Sequence, residues 1–342
     1  MKTGKLTNEQ LSELVLSKLP PLSSATLVGA DIGADCAWID MGDRLMVTSS
    51  DPITAGGMQS GTLTVHVSCN DIAACGVAPS GILIVIIAPS SATEEDVSEI
   101  VSQASAAASK LGVDIVGGHT EISDSVNTFV VTSTAFGIIE RDHPVPSGKA
   151  VSGDKLILTK TCGIEGTFIA ASEHGDKLAG RVEDKYIKEA LGYNELISVV
   201  PEGSIAGSVR ASDPVTVHKG YRKGAVDLMH DVTEGGVLGA AYEMACYSGL
   251  GIVVDKNSIP ITEATGKICD ALGLDPYRLI SSGSLLIASP EADRVIDELT
   301  KNGIKATVIG EFKDKSEGYK LLEKGGVMVD LDPPSADEIY RI

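Results

Sequence analysis

Apolar residues recur along this chain with two periods. Within residues 93–111, Val97, Ile100, Val101, Ala104, Ala108 and Leu111 fall mostly three or four positions apart, which predicts one amphipathic helix. Thr93 and Asp96 form a capping-box pattern at its start, and Gly112 supplies its stop. Residues 62–75 read as a more uniformly apolar helix carrying Asn70 and Asp71 near its end. The isoleucine-rich run 81–88, closed by Pro89, reads as a buried strand. Further strands are predicted at 45–49, delivering Asp51, at 113–116, running directly into Gly117-Gly118, and at 128–139.

Proline and glycine gather at 141–148, which marks a linker. The expected domains are therefore 1–148 and 149–342. In the second, the pattern predicts a strand at 155–161, helices near 183–200 and 234–248, a strand near 250–255 and a helix near 262–273. A strand near 284–288, a helix near 291–302 and strands near 304–312 complete it. A chain of 342 residues is long enough for two domains with their own cores.

Four short clusters of acids and glycines sit beside these apolar elements in the first half: Gly29 to Ala37 with Asp31 and Asp35, Ser50-Asp51-Pro52, Asn70-Asp71 up to Gly76, and Gly117-Gly118-His119-Thr120-Glu121. The fifth is Met229-His230-Asp231-Val232-Thr233-Glu234-Gly235-Gly236, placed at the entrance of a predicted helix. Glycines there let backbone approach a ligand, the helix N-terminus favours negative charge, and acids hold a hard cation. Taken singly, each aspartate is equally a turn or cap residue.

Composition narrows the partners. Apolar residues at 43% and charged residues at 22% are ordinary globular values. Twenty-eight basic against 47 acidic residues give a net charge of −19, which argues against nonspecific binding to nucleic acid or an anionic membrane. A nucleotide is still compatible, because bound cations and local amides invert the field inside a pocket. The amino-terminal residues hold no signal-like apolar run, and no segment is apolar for long enough to span a bilayer. Six cysteines without a Cys-x-x-Cys pair fit buried thiols and a cytoplasmic location. There is no G-x-x-x-x-G-K-[ST] and no G-x-G-x-x-G, so phosphate chemistry must rest on the acid clusters.

In their order along the chain, the clusters resemble the superfamily of aminoimidazole ribonucleotide synthetase, selenophosphate synthetase, thiamine-monophosphate kinase and the hydrogenase-maturation protein HypE. The resemblance runs over essentially the whole chain and is strongest to the HypE-related branch. It implies an α+β, two-domain PurM-like fold, with an N-terminal domain that forms a dimeric β-barrel and a C-terminal α/β sandwich. It also implies ATP and Mg2+ as cofactors, and a homodimer. Asp51, Asn70, Asp71 and Asp231 become the catalytic candidates. Gly117, Gly118, His119, Thr120, Thr233, Gly235 and Gly236 become the nucleotide-binding candidates. Asp35, Asp51, Asp71, Glu121 and Asp231 become the metal ligands, since magnesium takes hard oxygen donors and few per ion. Asn70 suits a phosphate oxygen or a water, or else a helix C-cap.

The chain departs from these relatives at three places. His119 stands where an acid is usual, and Glu121 supplies a carboxylate two residues on, on the same face of an extended segment. Thr233-Glu234 replaces the common dipeptide. The tail Asp337-Glu-Ile-Tyr340-Arg341-Ile342 is similar to the HypE tail but shows no cysteine. Such a tail is expected to plug the ATP site or to pack on the second domain. Arg278 with Ser281, Ser282 and Ser284 suits either an anion contact or a strand entry. The expected function is Mg-dependent phosphorylation of an amide- or carbonyl-type oxygen on an external small-molecule or partner-protein substrate. A kinase of the thiamine-monophosphate type and a catalytically weakened nucleotide-binding protein are the alternatives.

Overall fold

The computed structural model describes residues 6–32, 34–54 and 59–342. Gly33 of the first acid cluster lies outside them. The chain divides into two compact units, Met1–Ser68 with Pro79–Arg141, and Cys69–Ala78 with Asp142–Ile342.

The first unit runs α1 (Asn8–Leu14), β1 (Thr26–Val28), β2 (Ala37–Asp40), β3 (Arg44–Ile53), α2 (Ser60–Ala74, of which residues 69–74 belong to the second unit), β4 (Gly81–Pro89), α3 (Glu94–Leu111), β5 (Asp114–Ser123) and β6 (Val130–Glu140). Among the described residues its strands form one sheet in the order β1-β2-β3-β6-β4-β5, antiparallel except for the β4–β5 pair. Helix α3 has the capping box of Thr93 and Asp96, and Gly112 closes it in the left-handed conformation. Helix α2 lies against β6, where the Ser133 hydroxyl donates to the Thr64 carbonyl at 2.7 Å and meets the Ser68 hydroxyl at 2.7 Å. Gly61 lets α2 approach α3 closely, because a Cβ there would stand 2.1 Å from the Ile100 carbonyl oxygen.

Strand β5 does not stop at Val116 as its apolar run suggests. It continues through the two glycines to Ser123. Val116 is the extra residue of a bulge opposite Ile82 and Leu83, and the strand re-forms beyond it. Gly118 makes this continuation fit, since a Cβ would lie 1.8 Å from the Ile84 carbonyl oxygen. Asp51, too, sits inside a strand, paired with Ser133, rather than beyond one.

The second unit runs β7 (Lys155–Thr159), α4 (Ile164–Glu173), α5 (Gly175–Leu178), α6 (Asp184–Leu191), α7 (Val200–Ser208), β8 (Thr216–Val217), β9 (Tyr221–Arg222) and β10 (Leu228–Asp231). It continues with α8 (Gly236–Ser248), β11 (Gly251–Asp255), α9 (Glu263–Leu272), β12 (Leu285–Ser289), α10 (Ala292–Lys301), β13 (Ala306–Lys313), β14 (Tyr319–Glu323) and β15 (Val327–Asp330). Its main sheet has the order β10-β12-β7-β13-β11-β14-β15. Strand β12 is buried at every position, which requires cover on both faces. Val237, Leu238, Ala241 and Met244 of α8 pack with Leu156, Leu158, Leu286 and Ile252 in one core. Full burial of each such aliphatic side chain contributes about 1.5–3 kcal/mol.

The helix expected at 183–200 is broken. Helix α6 ends before Gly192, a tight 3-10 turn follows over Gly192–Leu196, and α7 opens with Pro201 in its first turn. Glycine weakens the helix, and the ring of Pro201 disfavours helical backbone before it.

Candidate functional site

In the second unit, β10 delivers Asp231 as a buried strand-end residue. The chain then turns through Thr233 and Glu234 into Gly235 and Gly236, at φ +83° and +63°. Gly236 is required by space as well as by conformation, because a Cβ would come 2.6 Å from the Tyr277 carbonyl oxygen. Helix α8 starts at this turn, where the Gly236 amide donates to the Thr233 carbonyl at 3.2 Å and the Leu238 amide to the Tyr277 carbonyl at 3.1 Å.

The Gly235 amide is engaged. It donates to the Asp337 carboxylate at 2.7 Å, and the same buried carboxylate accepts from the Ile280 amide at 3.1 Å and the Ile339 amide at 2.8 Å. Pro334 lies against Gly235 and Gly239, the Tyr340 hydroxyl donates to Glu234 at 2.7 Å, and Arg278 holds the carbonyls of Asp332 and Pro333. Residues 332–342 therefore lie across the helix entrance, and Asp337 is the site residue the acid clusters missed. The signal was an aspartate two residues before an apolar one in a short capped turn.

Glu165, in the first turn of α4, is buried, and its Oε2 has no hydrogen-bond partner. Burial raises its carboxyl, Ser282 opposes this, and Asp337 and Glu234 raise it further. Burial also raises Asp337, against the pull of its three backbone amides, with Glu234 adding to the rise. Three acids thus crowd one end of α8.

Asn70 and Asp71 both belong to this unit. The Asn70 side chain is engaged by backbone. Its amide donates to the Ile197 carbonyl at 3.1 Å and accepts from the Val199 amide at 2.8 Å. That is a positioning role, fixing the end of α2 and the buried Asp71 beside it. A second clamp on the same segment comes from Lys160. Its ammonium donates to the carbonyls of Ser198 and Gly283, both at 2.7 Å, and Leu196 at 3.2 Å, and lies 2.8 Å from the Glu202 carboxylate. Burial pulls the ammonium down in pKa while Glu202 holds it up. Lys160 has φ +54°, a left-handed backbone that costs a non-glycine residue about 1–2 kcal/mol. The serines near 281–284 are internal too: Ser281 and Ser284 bond one another at 2.7 Å, and Ser284 donates to the Thr161 carbonyl at 2.6 Å.

In the first unit, Asp51 accepts from the Ser49 hydroxyl at 3.4 Å, and Asp35 is exposed just before β2. Gly117, Gly118, His119, Thr120 and Glu121 all lie on β5. His119 Nε2 and Glu121 Oε2 share a face and meet at 3.1 Å, both exposed. Beside them is a hollow of about 260 Å³ walled by Ile84, Ile86, Val101 and Ile115, with His119 and Thr120 at its polar edge. Among the described residues, no group of three histidine, cysteine or acidic side chains is placed to hold a metal by itself. The candidate donors are all carboxylate oxygens, which fit magnesium carried in with phosphates rather than a closed protein cage.

A buried carboxyl pair, Asp154 and Asp227, sits at the residues just before β7 and β10. Asp154 Oδ1 and Asp227 Oδ2 are buried and lack a donor, while Asp227 Oδ1 takes Lys223 at 2.6 Å and Ser147 at 2.7 Å. Burial first, with Asp227 adding and the Val151 amide opposing, pushes the Asp154 carboxyl up to about 7. The folded protein therefore holds a proton that the unfolded chain loses at ordinary carboxylate pH. This stabilisation is complete below that range and is lost as pH rises through about 7. Asp154→Asn is expected to flatten the fall in Tm between pH 5 and 8 and to melt higher than the parent at pH 8. Thermal melts across that range check it, and an unchanged slope would show that the pair shares no proton.

Comparisons with known proteins agree on one family. The description "AIR synthase related protein, N-terminal domain" matches residues 33–139, and "AIR synthase related protein, C-terminal domain" matches residues 151–322. A putative hydrogenase expression/formation protein of Methanocaldococcus jannaschii is 27% identical, over 99% of this chain and 97% of its own length. The carbamoyl dehydratase HypE of Escherichia coli is 25% identical, over 88% of this chain and 85% of its own. A crystal structure of the hydrogenase maturation protein HypE in complex with ATP has the same fold, with a TM-score of 0.66 at 20% identity over 98% of this chain and 97% of that one.

Proposed function

Because the chain belongs to the AIR synthase-related family, in its HypE-like branch and with its two-domain PurM-like fold, we propose that it is a magnesium-dependent, ATP-using enzyme acting on an amide- or carbonyl-type oxygen of an external substrate. The observation that carries this reading is the Gly235 amide at the entrance of α8, already holding an anion in the form of the Asp337 carboxylate. A turn that captures a carboxylate on its backbone is built to capture a phosphate oxygen. In the second unit Asp231 and Asp71, buried at the ends of their elements, are the candidate magnesium ligands, and in the first unit the candidates are Asp51, Asp35 and Glu121. Magnesium supplies charge neutralisation on the triphosphate. Thr233 and Gly236 border the same turn. Gly117, Gly118, His119 and Thr120 form the nucleotide strand in the first unit.

The segment seated on the turn presents the Asp337 carboxylate and the Tyr340 phenol to it, and the acceptor in this reading is a separate small molecule or protein. Strand β5 is exposed along nearly its whole length and shows Ile115, Val116 and Ile122. An open apolar edge of this kind favours pairing with a second copy, which makes the homodimer. Cys69, Cys162 and Cys269 are buried, with thiols pushed up to about 12 by burial, and every cysteine is free, which fits a reducing cytoplasm.

Mass-resolved turnover with ATP and candidate amide acceptors tests the reaction class. A dehydrated or displaced product with released phosphate is expected. Accumulation of a stable phosphorylated product would instead make it a kinase of the thiamine-monophosphate type. Tight ATP binding with no turnover on any acceptor would leave a nucleotide-binding protein.

A further inference from the structure

A lysine ammonium carries three donors and no acceptor. Around Lys160 Nζ there are more oxygens than donors: the carbonyls of Leu196, Ser198 and Gly283, and Glu202 Oε1, all within 3.2 Å. Glu202 Oε2 is buried as well and has no hydrogen-bond partner. Three carbonyls and a largely buried carboxylate are the ligand type that replaces the hydration shell of a monovalent cation. The geometry points to Lys160 as a tethered cation in a monovalent-cation site formed by Leu196, Ser198, Gly283 and Glu202, a site that accepts free potassium or ammonium once the side chain is removed.

The site has a positioning task. Lys160 takes the carbonyls of Leu196 and Ser198, and Asn70 takes the carbonyl of Ile197 and the amide of Val199. Both side chains fix one short segment, and that segment fixes the end of α2, where Asp71 follows Asn70. Gly283, at φ +106°, lets its loop close on the same place, since a Cβ would stand 2.3 Å from the Leu196 carbonyl oxygen. The left-handed backbone of Lys160 is held in spite of its strain, as expected where the surroundings over-determine a residue. The arrangement has a chemical logic. Removing the ammonium leaves the Glu202 carboxylate buried and uncompensated, and a small cation of similar size answers both the charge and the carbonyls.

Lys160→Gly is the variant of choice, because glycine accepts φ +54° without strain and leaves the oxygens in place. Its Tm and its ATP turnover are measured in potassium, ammonium, lithium and choline chlorides at equal ionic strength. The expected result is a lower Tm and turnover in choline and lithium, and recovery in potassium and ammonium, with turnover rising about tenfold or more. The parent protein is expected to be indifferent to the cation. Lys160→Gly combined with Glu202→Gln is expected to lose the preference. Identical behaviour of Lys160→Gly in potassium and choline, failure to fold in every salt, or a preference that survives Glu202→Gln would each overturn the assignment. The turnover arm rests on the ATP-using reaction proposed above. The melting arm does not, so loss of turnover in the parent as well would count against that reaction and not against the cation site.

Discussion

Asp71→Asn is expected to lower ATP turnover by about a hundredfold to a thousandfold while the protein keeps its fold. The substitution is isosteric and removes only the charge. Asp71 is buried at the end of α2, and the residue before it is locked to the backbone by two hydrogen bonds, so the carboxylate cannot drift to a new place. A fixed acid of this kind loses its whole effect on a metal-bound phosphate when it becomes an amide. Asp51→Asn is expected to behave alike. Steady-state turnover beside circular dichroism and a thermal melt checks both. Turnover within a few-fold of the parent would remove Asp71 from the reaction and leave it a structural residue.

Gly118→Ala is expected to have the largest effect on stability. Its Cβ would be forced to within 1.8 Å of the Ile84 carbonyl oxygen, a backbone atom that cannot swing aside as a side-chain end can. Either β5 detaches from β4 or both strands shift, at a cost of about 3 kcal/mol or more. For a unit of this size that is a fall of roughly 10 °C in Tm. Because β5 is also the open edge proposed to pair with a second copy, the variant is expected to lose the dimer. Melting and light scattering on the same samples read the two effects. A variant that melts with the parent and keeps a dimer mass would show that the strand closes differently.

Periodicity was sufficient for elements that carry their own signals. Helix α3 is amphipathic and capped at both ends, and β4 is apolar without interruption, so each was legible from its residues alone. Strand β5 was harder because a bulge at Val116 precedes its glycines, and the chain stays extended past them by pairing with β4, where only a glycine at 118 fits against the Ile84 carbonyl. The break in the predicted helix at 183–200 was visible as Gly192 and Pro201, but the apolar spacing spoke louder.

The site divides in the same way. The turn at Asp231 to Gly236 announced itself by composition, and both glycines take the backbone conformation that only glycine adopts cheaply. Asn70 was visible as a residue but not as a clamp, because its partners lie 127 and 129 residues away. Lys160 follows an apolar strand like any surface lysine, and only the fold gathers around it the oxygens of the 196–198 segment, of Gly283 and of Glu202 on α7. Asp337 could not be read as an anion on the Gly235 amide, since nothing local to either residue encodes the pairing.

The account rests on a nucleotide whose charge is neutralised by metal, because the sequence has acid clusters and no G-x-x-x-x-G-K-[ST] lysine. Calorimetry of the intact protein with ATP, in magnesium and then in excess chelator, is the direct measurement. Saturable binding in magnesium and loss of affinity by about a hundredfold or more in chelator, the cost of leaving the phosphates facing carboxylates, is the predicted result. Equal affinity in the two conditions, or no binding in either, would contradict it.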